Sequence, residues 1–443
     1  MRKKKDMFHG AVGGYTSPGR RSGRYHRPPP QLTVFLHTDR PLSSMKNGSL
    51  MIDKLLRRVR VPAALMRGGT SKGLVFRGSD LPETGSAARD SVILAAMAPD
   101  ASGLAVNGVG GGVTSTLKVG VVSPPEARPD LGVDFDYHFG QVSPMGPSSI
   151  RPTIDWGSNC GNFAAAAALF AVSEGLVKLR SDGSAVARMW SVGAAEQLEV
   201  HIPSAETPPI AVPGVPGVGL PLQVDFVGLN NADSPLFPTG RLVDEELPMG
   251  RRKVSATLVH AGNPMVLIAA ADGHLDGAET AAAASRAIAF DEVDTLLDAA
   301  AERMGLRTRP SGMRVLWLSS SRDHALLEGQ RVAASECDIL SRVSAGNRIH
   351  HAHTGTGSIA LACAAAVPGT VAHAIAAGSR SGSGDDSKGG SSSNSTIRIA
   401  HPQGVVSVSA SVERCSLSGQ YMACRARFLR TARFLMIGDV ILP

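Results

Sequence analysis

Four short stretches hold residue types able to do proton chemistry or grip an anion. In "NCGN" (Asn159–Asn162), Cys160 stands between two asparagines at a glycine turn that opens an alanine-rich run. A free cysteine in such a place is either a small buried hydrophobe or a thiol facing the amides of a helix N-terminus. Those amides and the helix dipole favour a thiolate, which gives an acid–base group, or they hold an anion. Lys118 follows "GVGGGVTST" and starts the apolar run "KVGVV". Unless it points to water at a strand edge, burial lowers its pKa enough for it to act as a base, or it remains a fixed positive charge. No G-x-x-x-x-G-K-[ST] pattern accompanies it, so these glycines are not a nucleotide loop. "RGGTSKG" presents Thr70 and Ser71 on a glycine turn, where backbone can come close to a ligand. Arg67 and Lys72 beside it pair with the turn or with a ligand. "HHAHTGTGS" offers a second such turn in Thr354, Gly355, Thr356, Gly357 and Ser358, with His351 either orienting it or purely structural.

These groups need elements to hold them. Short strand-like runs begin after Arg60: "VPAALM", "GLVF", "LKVGVV", "FDYHFGQV" and "PTIDW". One amphipathic helix, "SAARDSVILAAMA", interrupts them. "NCGN" opens an uncharged helix from Phe163 to about Val177, expected to be buried on most faces. "AVPGVPGVGLP" reads as a long irregular connection near residues 211–221. Strands resume with "LQVDFVG", "KVSATLVHA" and "MVLIAAA". Helices follow around Thr280–Met304, then the strand "MRVLWLSS". "HTGTG" repeats the earlier event, a glycine turn opening an uncharged helix of small residues. A low-complexity surface loop is expected over 378–395, ahead of the closing strands.

The two glycine-turn helices lie one domain length apart, which suggests a duplicated domain. The expected division is a basic extension over 1–57, a first domain over 58–222 and a second over 223–427. A C-terminal segment, about 428–443, returns to the first. If both helix N-termini face one cleft, they make two anion sites, and a ligand with two or more carboxylates fits them.

Composition narrows the class further. The chain has 443 residues, 43% of them hydrophobic, only 4% aromatic, with a net charge of +7. Much of that excess lies in the first sixty residues, in "MRKKK", "GRRSGRYHRPPP" and "KLLRRVR", which read as disordered apart from a short helix over Met51–Val59. Their aromatic residues are too few for an RNA-binding tail, so no nucleic-acid partner is expected. An Arg-rich, acid-poor extension suits an organelle targeting segment, a solvated tail or a start codon placed too early. Five widely spaced cysteines without finger spacing imply reduced thiols, no metal site and a cytoplasmic location, with a mitochondrial one as the alternative. No apolar run is long enough for a membrane span, so no membrane association is expected.

Taken in order, "MRGGTSKGLVF", "GVGGGVTSTLKVGVV", "FDYHFGQV", "DWGSNCGN", "FPTG", "HAGNP", "HHAHTGTGS" and "RTARFLMIGDVILP" resemble the methylaconitate isomerase (PrpF-type) family. That family also holds methylitaconate and aconitate Δ-isomerases and oxalomesaconate tautomerases. The resemblance runs from about Val59 to Pro443. It implies the diaminopimelate epimerase-like α+β fold: two pseudo-symmetric domains, each a curved mixed sheet wrapped around a central apolar helix, with the active site in the cleft between them. Thr354 stands where an epimerase of this fold carries its second cysteine, so a two-thiol racemisation is not expected. The resemblance makes Lys118 and Cys160 the catalytic pair. Ser71, Thr70, Gly161, Asn162, Thr354, Gly355, Thr356, Gly357, Ser358 and His351 are then the substrate-binding set. "FPTG" and "HAGNP" are expected to be turns bordering the cleft without a catalytic role. The implied activity is a cofactor-independent isomerisation of an unsaturated di- or tricarboxylate by proton transfer next to a carboxylate. Cis/trans isomerisation of 2-methylaconitate is favoured over a Δ-isomerase of aconitate or methylitaconate and over a 4-oxalomesaconate tautomerase. The rival reading is a non-catalytic, ligand-binding partner of an aconitase-type dehydratase. A homodimer is a further expectation.

Overall fold

In the computed structural model, residues 59–98, 107–126, 129–143, 151–230, 233–326, 329–380 and 392–442 are described. The basic extension 1–57, and with it the helix expected from Met51, lies outside them.

The first strands, β1 (Arg60–Gly68) and β2 (Ser71–Arg77), form a hairpin. Its turn carries Gly69 at φ +51°, and a Cβ there would stand 2.6 Å from Asn162 Oδ1. Glycine suits this left-handed conformation and leaves room for the Asn162 side chain. Helix α1 (Ala87–Met97), capped by the Ser86 hydroxyl, leads back to β3 (Lys118–Ser123), parallel to β2. β3 pairs antiparallel with β4 (Phe135–Ser143), which also carries the short β5 (Thr153–Asp155). Helix α2 (Gly161–Ser173) follows, then β6 (Ala185–Ser191), parallel to β4, and β7 (Glu196–Ile202). α2 starts two residues earlier than the expected Phe163 and stops before Val177. Gly175 at φ +74° ends it, with Leu176 N–H donating to Ala171 O and Gly175 N–H to Val172 O, the double closure of a Schellman motif.

The stretch expected to be irregular near 211–221 is instead a small hairpin of β8 (Ile210–Val212) and β9 (Val215–Gly219). Pro213–Gly214 supplies its turn, with Gly214 at φ +82°. β10 (Leu222–Val227) then pairs antiparallel with β7 on one side.

The second half opens with β11 (Asp244–Met249), β12 (Arg252–Ala261) and β13 (Asn263–Ala269), an antiparallel meander. Helices α3 (Ala281–Ala287) and α4 (Phe290–Arg303) cross to β14 (Arg314–Ser320), parallel to β13. A two-strand excursion, β15 (His324–Ala325) and β16 (Arg331–Val332), precedes β17 (Ile339–Val343). Helices α5 (Gly355–Ala365) and α6 (Val371–Arg380) follow. The last strands are β18 (Ser392–His401), β19 (Gly404–Arg414), β20 (Tyr421–Arg430) and β21 (Ala432–Ile441). The loop expected over 378–395 is thus trimmed at both ends by regular structure, and residues 381–391 lie outside the described set.

One seam, β10 against β20, makes a single seventeen-stranded sheet of both halves. β10 pairs on its other side with β20, and β21 returns to flank β1. The sheet of the first half wraps α2, while β12, β13, β18, β19 and β20 wrap α5. Both helices are alanine-rich, uncharged and buried almost throughout, because each is covered by strands on several sides. One core cluster runs from Phe163 and Ala167 on α2 to Ile359 and Leu361 on α5.

Candidate active site

The N-termini of α2 and α5 meet on the floor of one cleft. A Cβ on Gly355 would lie 3.4 Å from the backbone nitrogen of Asn162. Asn263, at the β12–β13 turn, joins the two helix starts: its Nδ2 donates to Thr356 Oγ1 at 3.1 Å and to the Asn159 carbonyl at 3.4 Å. Two converging helix N-termini make the floor electropositive even before any side-chain charge is added.

Cys160 is the N-cap residue of α2, with extended backbone at φ −142° and ψ 94°. Its carbonyl accepts from Phe163 N–H and Ala164 N–H, both at 2.9 Å, and its own N–H donates to Asn159 Oδ1 at 2.7 Å. The thiol makes no capping bond, so Sγ is left to the cleft, 3.6 Å from Ser71 Oγ.

Lys118 enters β3 directly opposite Gln141 of β4. Its Nζ donates to Gln141 Oε1 and stands 5.2 Å from the centroid of the Phe139 ring. The Gln141 amide cannot turn over, because Nε2 donates to the Leu117 and Val142 carbonyls at 3.0 Å each. Burial pushes the Lys118 ammonium below the ordinary lysine range. A charge on Cys160 opposes that shift, as does Asp155, while Arg314 reinforces it. A lysine held this way exchanges its proton more readily than one in water.

Two arginines supply charge that the sequence reading passed over. Arg314, at the start of β14, lines the cleft and donates to the carbonyls of Met313, at 2.6 Å, and Ser311. Carbonyl partners do not neutralise its charge, which leaves a cation facing the cleft. Burial, and next Arg309, bring its guanidinium down to about 10 against the pull of Asp155, so it stays charged at neutral pH. Arg430 sits buried beneath the start of α2, donating from Nε to Asn162 Oδ1 and lying 4.0 Å over the Phe428 ring. Burial lowers it to about 9 while a charge on Cys160 works the other way. Asn162 passes the contact on, its Nδ2 donating to Thr70 Oγ1 at 3.2 Å.

Of the residues expected at the site, Thr70, Ser71, Lys118, Cys160, Asn162, Thr354, Gly355 and Thr356 line the cleft together. Gly161, Gly357, Ser358 and His351 do not. Gly161 is a packing residue: a Cβ there would meet the Phe226 ring at 2.7 Å. Gly357 N–H donates to Thr354 Oγ1 at 3.2 Å, which caps α5. Ser358 is fully buried, donating to the Thr354 carbonyl at 2.9 Å and standing 2.8 Å from His353 Nδ1. His350 takes the place expected of His351, whose ring stacks on it with centroids 4.5 Å apart. Burial, helped by His351, takes His350 down to about 3, so it is neutral at physiological pH. Arg67 belongs to the turn: Nη1 donates to the Gly69 carbonyl at 3.0 Å and the Thr431 carbonyl at 2.9 Å. Lys72 is not part of the lining. Asn263, from "HAGNP", is more than a bordering turn, since it joins both helix starts. The missed signal for Arg314 was legible: "RPSGMR" is a Pro/Ser/Gly turn whose cation enters an apolar strand, the same pattern as at Lys118.

Away from the cleft, Glu199, His201 and Asp225 bring three metal-ligand types together, contrary to the expectation of no such constellation. Arginines already occupy the carboxylates. Arg425 Nη1 lies 2.6 Å from Asp225 and 3.0 Å from Glu199, and Arg427 Nη2 lies 3.1 Å from Asp225. A cation would have to displace these guanidinium groups. All five cysteines are unpaired. Among the described residues, no helix is long and apolar enough to cross a membrane.

Residues 58–443 match the PrpF protein family. A 2-methyl-aconitate isomerase of Cupriavidus necator is 33% identical over 414 residues, spanning 87% of this chain and 98% of that protein. Its counterpart in Shewanella oneidensis is 31% identical over 410 residues, again spanning 87% and 98%. The solved structure of a methylitaconate-delta-isomerase superposes with a TM-score of 0.64 at 25% identity, covering 87% of this chain and 96% of its own.

Proposed function

Because the chain belongs to the PrpF protein family and is an isomerase of the diaminopimelate epimerase-like fold, we propose that it isomerises an unsaturated di- or tricarboxylate without a cofactor. The favoured reaction is cis/trans isomerisation of 2-methylaconitate, the substrate named for the two relatives above. A Δ-isomerase of methylitaconate is the second reading, favoured by the structural neighbour.

One observation carries the proposal: Lys118 and Cys160 face the same cleft, between two helix N-termini and Arg314. In 2-methylaconitate the CH2 carbon is α to one carboxylate and, through the double bond, γ to another. Removing a proton there places the negative charge on a dienolate that extends into the carboxylate oxygens. The former double bond is then single and rotates. Returning the proton to the same carbon gives the other isomer; returning it to the far end of the dienolate shifts the double bond instead. Lys118 and Cys160 are the proton carriers in this scheme. Arg314 and the helix amides hold the carboxylate that gains charge, where an excluded-water site makes such contacts strongest. Cytoplasmic placement belongs to the same reading and is supported by the unpaired cysteines.

The test is proton NMR of the purified protein in D2O with 2-methylaconitate, methylitaconate, cis-aconitate and 4-oxalomesaconate. Isomer interconversion with solvent deuterium entering an allylic position is expected. Binding of these acids with no deuterium incorporation in any of them would return the chain to a ligand-binding role beside a dehydratase.

A further inference from the structure

Behind the cleft, a row of polar side chains crosses three strands of the first half. Tyr137 on β4 stands opposite Ser191 on β6, and Ser191 stands opposite Glu196 on β7. Residues in direct register share a face of the sheet. Their neighbours two positions along, Phe135, Met189 and Leu198, belong to the core cluster that covers α2. Tyr137 and Ser191 are fully buried, and Glu196 is 9% exposed. A carboxyl in such an apolar layer is costly unless something specific uses it.

Asn159 uses it. Glu196 Oε2 accepts from Asn159 Nδ2 at 2.9 Å, while Asn159 Oδ1 accepts from the Cys160 N–H at 2.7 Å. The two bonds fix each other. If the Asn159 amide turned over, its NH2 group would face the Cys160 N–H, donor against donor. An acceptor at position 196 therefore decides which way Asn159 points.

We propose that Glu196 is a positioning residue for Cys160, setting through Asn159 the turn that aims the thiol into the cleft. The proposal deepens the reading of Cys160 as a proton carrier and rests on it. Burial pushes the Glu196 carboxyl up to about 8, only partly offset by the Asn159 hydrogen bond. The group therefore holds its proton at neutral pH, and its remaining lone pairs still accept from Asn159. No fixed negative charge then stands behind the thiol to repel an anionic substrate.

Three variants test this in the full-length protein: Glu196→Gln, Glu196→Leu and Glu196→Asp. Glutamine keeps an acceptor at the same reach, leucine removes it, and aspartate falls one methylene short. Two readouts apply, steady-state kinetics and the rate at which iodoacetamide alkylates Cys160, resolved by peptide mass. The Leu and Asp variants should lose about 100-fold in kcat with KM nearly unchanged, as expected for a misplaced reacting group. Alkylation of Cys160 should slow several-fold in both and stay at the wild-type rate in Glu196→Gln. Should the leucine variant fail to fold, the aspartate variant answers the same question with a polar side chain. Wild-type alkylation and kcat in folded Glu196→Asp, or a Gln variant as impaired as Leu, would overturn the proposal. The alkylation arm needs no substrate, so it stands even if every candidate acid proves wrong.

Discussion

Lys118 and Gln141 face each other across the β3–β4 pair, and the ammonium donates to an amide oxygen that cannot turn away. A neutral partner satisfies the lysine without raising its pKa as a carboxylate would. Gln141→Glu should therefore raise the Lys118 pKa by about one to three units. The rising limb of kcat/KM against pH should move up by a similar amount, with activity at pH 7 falling accordingly. Lys118→Ala should remove turnover altogether. A limb that stays in place in Gln141→Glu would separate Lys118 from proton transfer.

Cys160→Ser should keep the turn, since the backbone bonds of this residue to Asn159, Phe163 and Ala164 do not involve the side chain. A hydroxyl is a poor base, so kcat should fall by about 10²–10⁴-fold while substrate binding changes little. Solvent-deuterium exchange and ligand thermal shifts measure the two effects separately. Wild-type exchange in this variant would leave Cys160 without a chemical role.

Among the described residues, Arg314 donates to the Ser311 and Met313 carbonyls, and neither bond neutralises its charge, so it can attract a substrate carboxylate. Losing a charged hydrogen bond costs about 1.5–3 kcal/mol, and Arg314→Leu should raise KM by about 10–100-fold. Arg314→Lys should recover little of that, because an ammonium cannot reproduce the planar fork. Steady-state kinetics on both variants decides it, and an unchanged KM in the leucine variant would remove Arg314 from binding.

Thr354 caps α5 through its hydroxyl, and aspartate is an equally good N-cap. Thr354→Asp should therefore melt normally without ligand. Its carboxylate would face the substrate anion at the second helix start, so the thermal shift given by a tricarboxylate should be largely lost. Equal shifts in wild type and variant would make the second turn purely structural.

Glu196 also makes a prediction about stability. Its carboxyl titrates at 4.5 as a free group and at about 8 in the fold. Between those values the native state keeps a proton that the unfolded chain has released, so this group subtracts stability as pH rises through the window. Below 4.5 both states are protonated and the contribution vanishes; above 8 the penalty is complete and constant. Glutamine carries no such proton. The melting temperature of Glu196→Gln should gain on wild type steadily between pH 5 and pH 8, and a constant difference across that range would contradict the raised value.

The legible parts of this chain were those written in local chemistry. The glycine turns at "NCGN" and "HTGTG" announce helix starts, and the lack of charge behind them announces burial on all sides. The apolar run "KVGVV" after a glycine-rich loop likewise announces a strand with Lys118 at its head. The rest depends on register between distant segments. Gln141 matters because β4 sets it opposite Lys118, and Glu196 because β7 sets it beside Asn159. Neither relation is visible along the chain. The exchange of His351 for His350 has a different cause. Both lie in a non-periodic stretch, where no repeat of 2 or 3.6 residues says which neighbour turns inward. β10 reads as the start of the second half, yet its ladder with β7 and β20 makes it the join between the halves.

β21 flanks β1, so the first strand of the sheet is walled by the last. A ribosome delivers the chain in the opposite sense. While the second half is being made, the first half presents β1 as an open edge, and the sites later filled by Val440 and Leu442 beside Leu74 and Ile93 stay empty. Pairing across nearly the whole length of the chain is slow to nucleate and leaves that edge available to other strands meanwhile. Loss of β21 would thus damage the half of the protein already translated, and the arrival of this strand, not the emergence of α2, is the moment at which β1 gains its second neighbour.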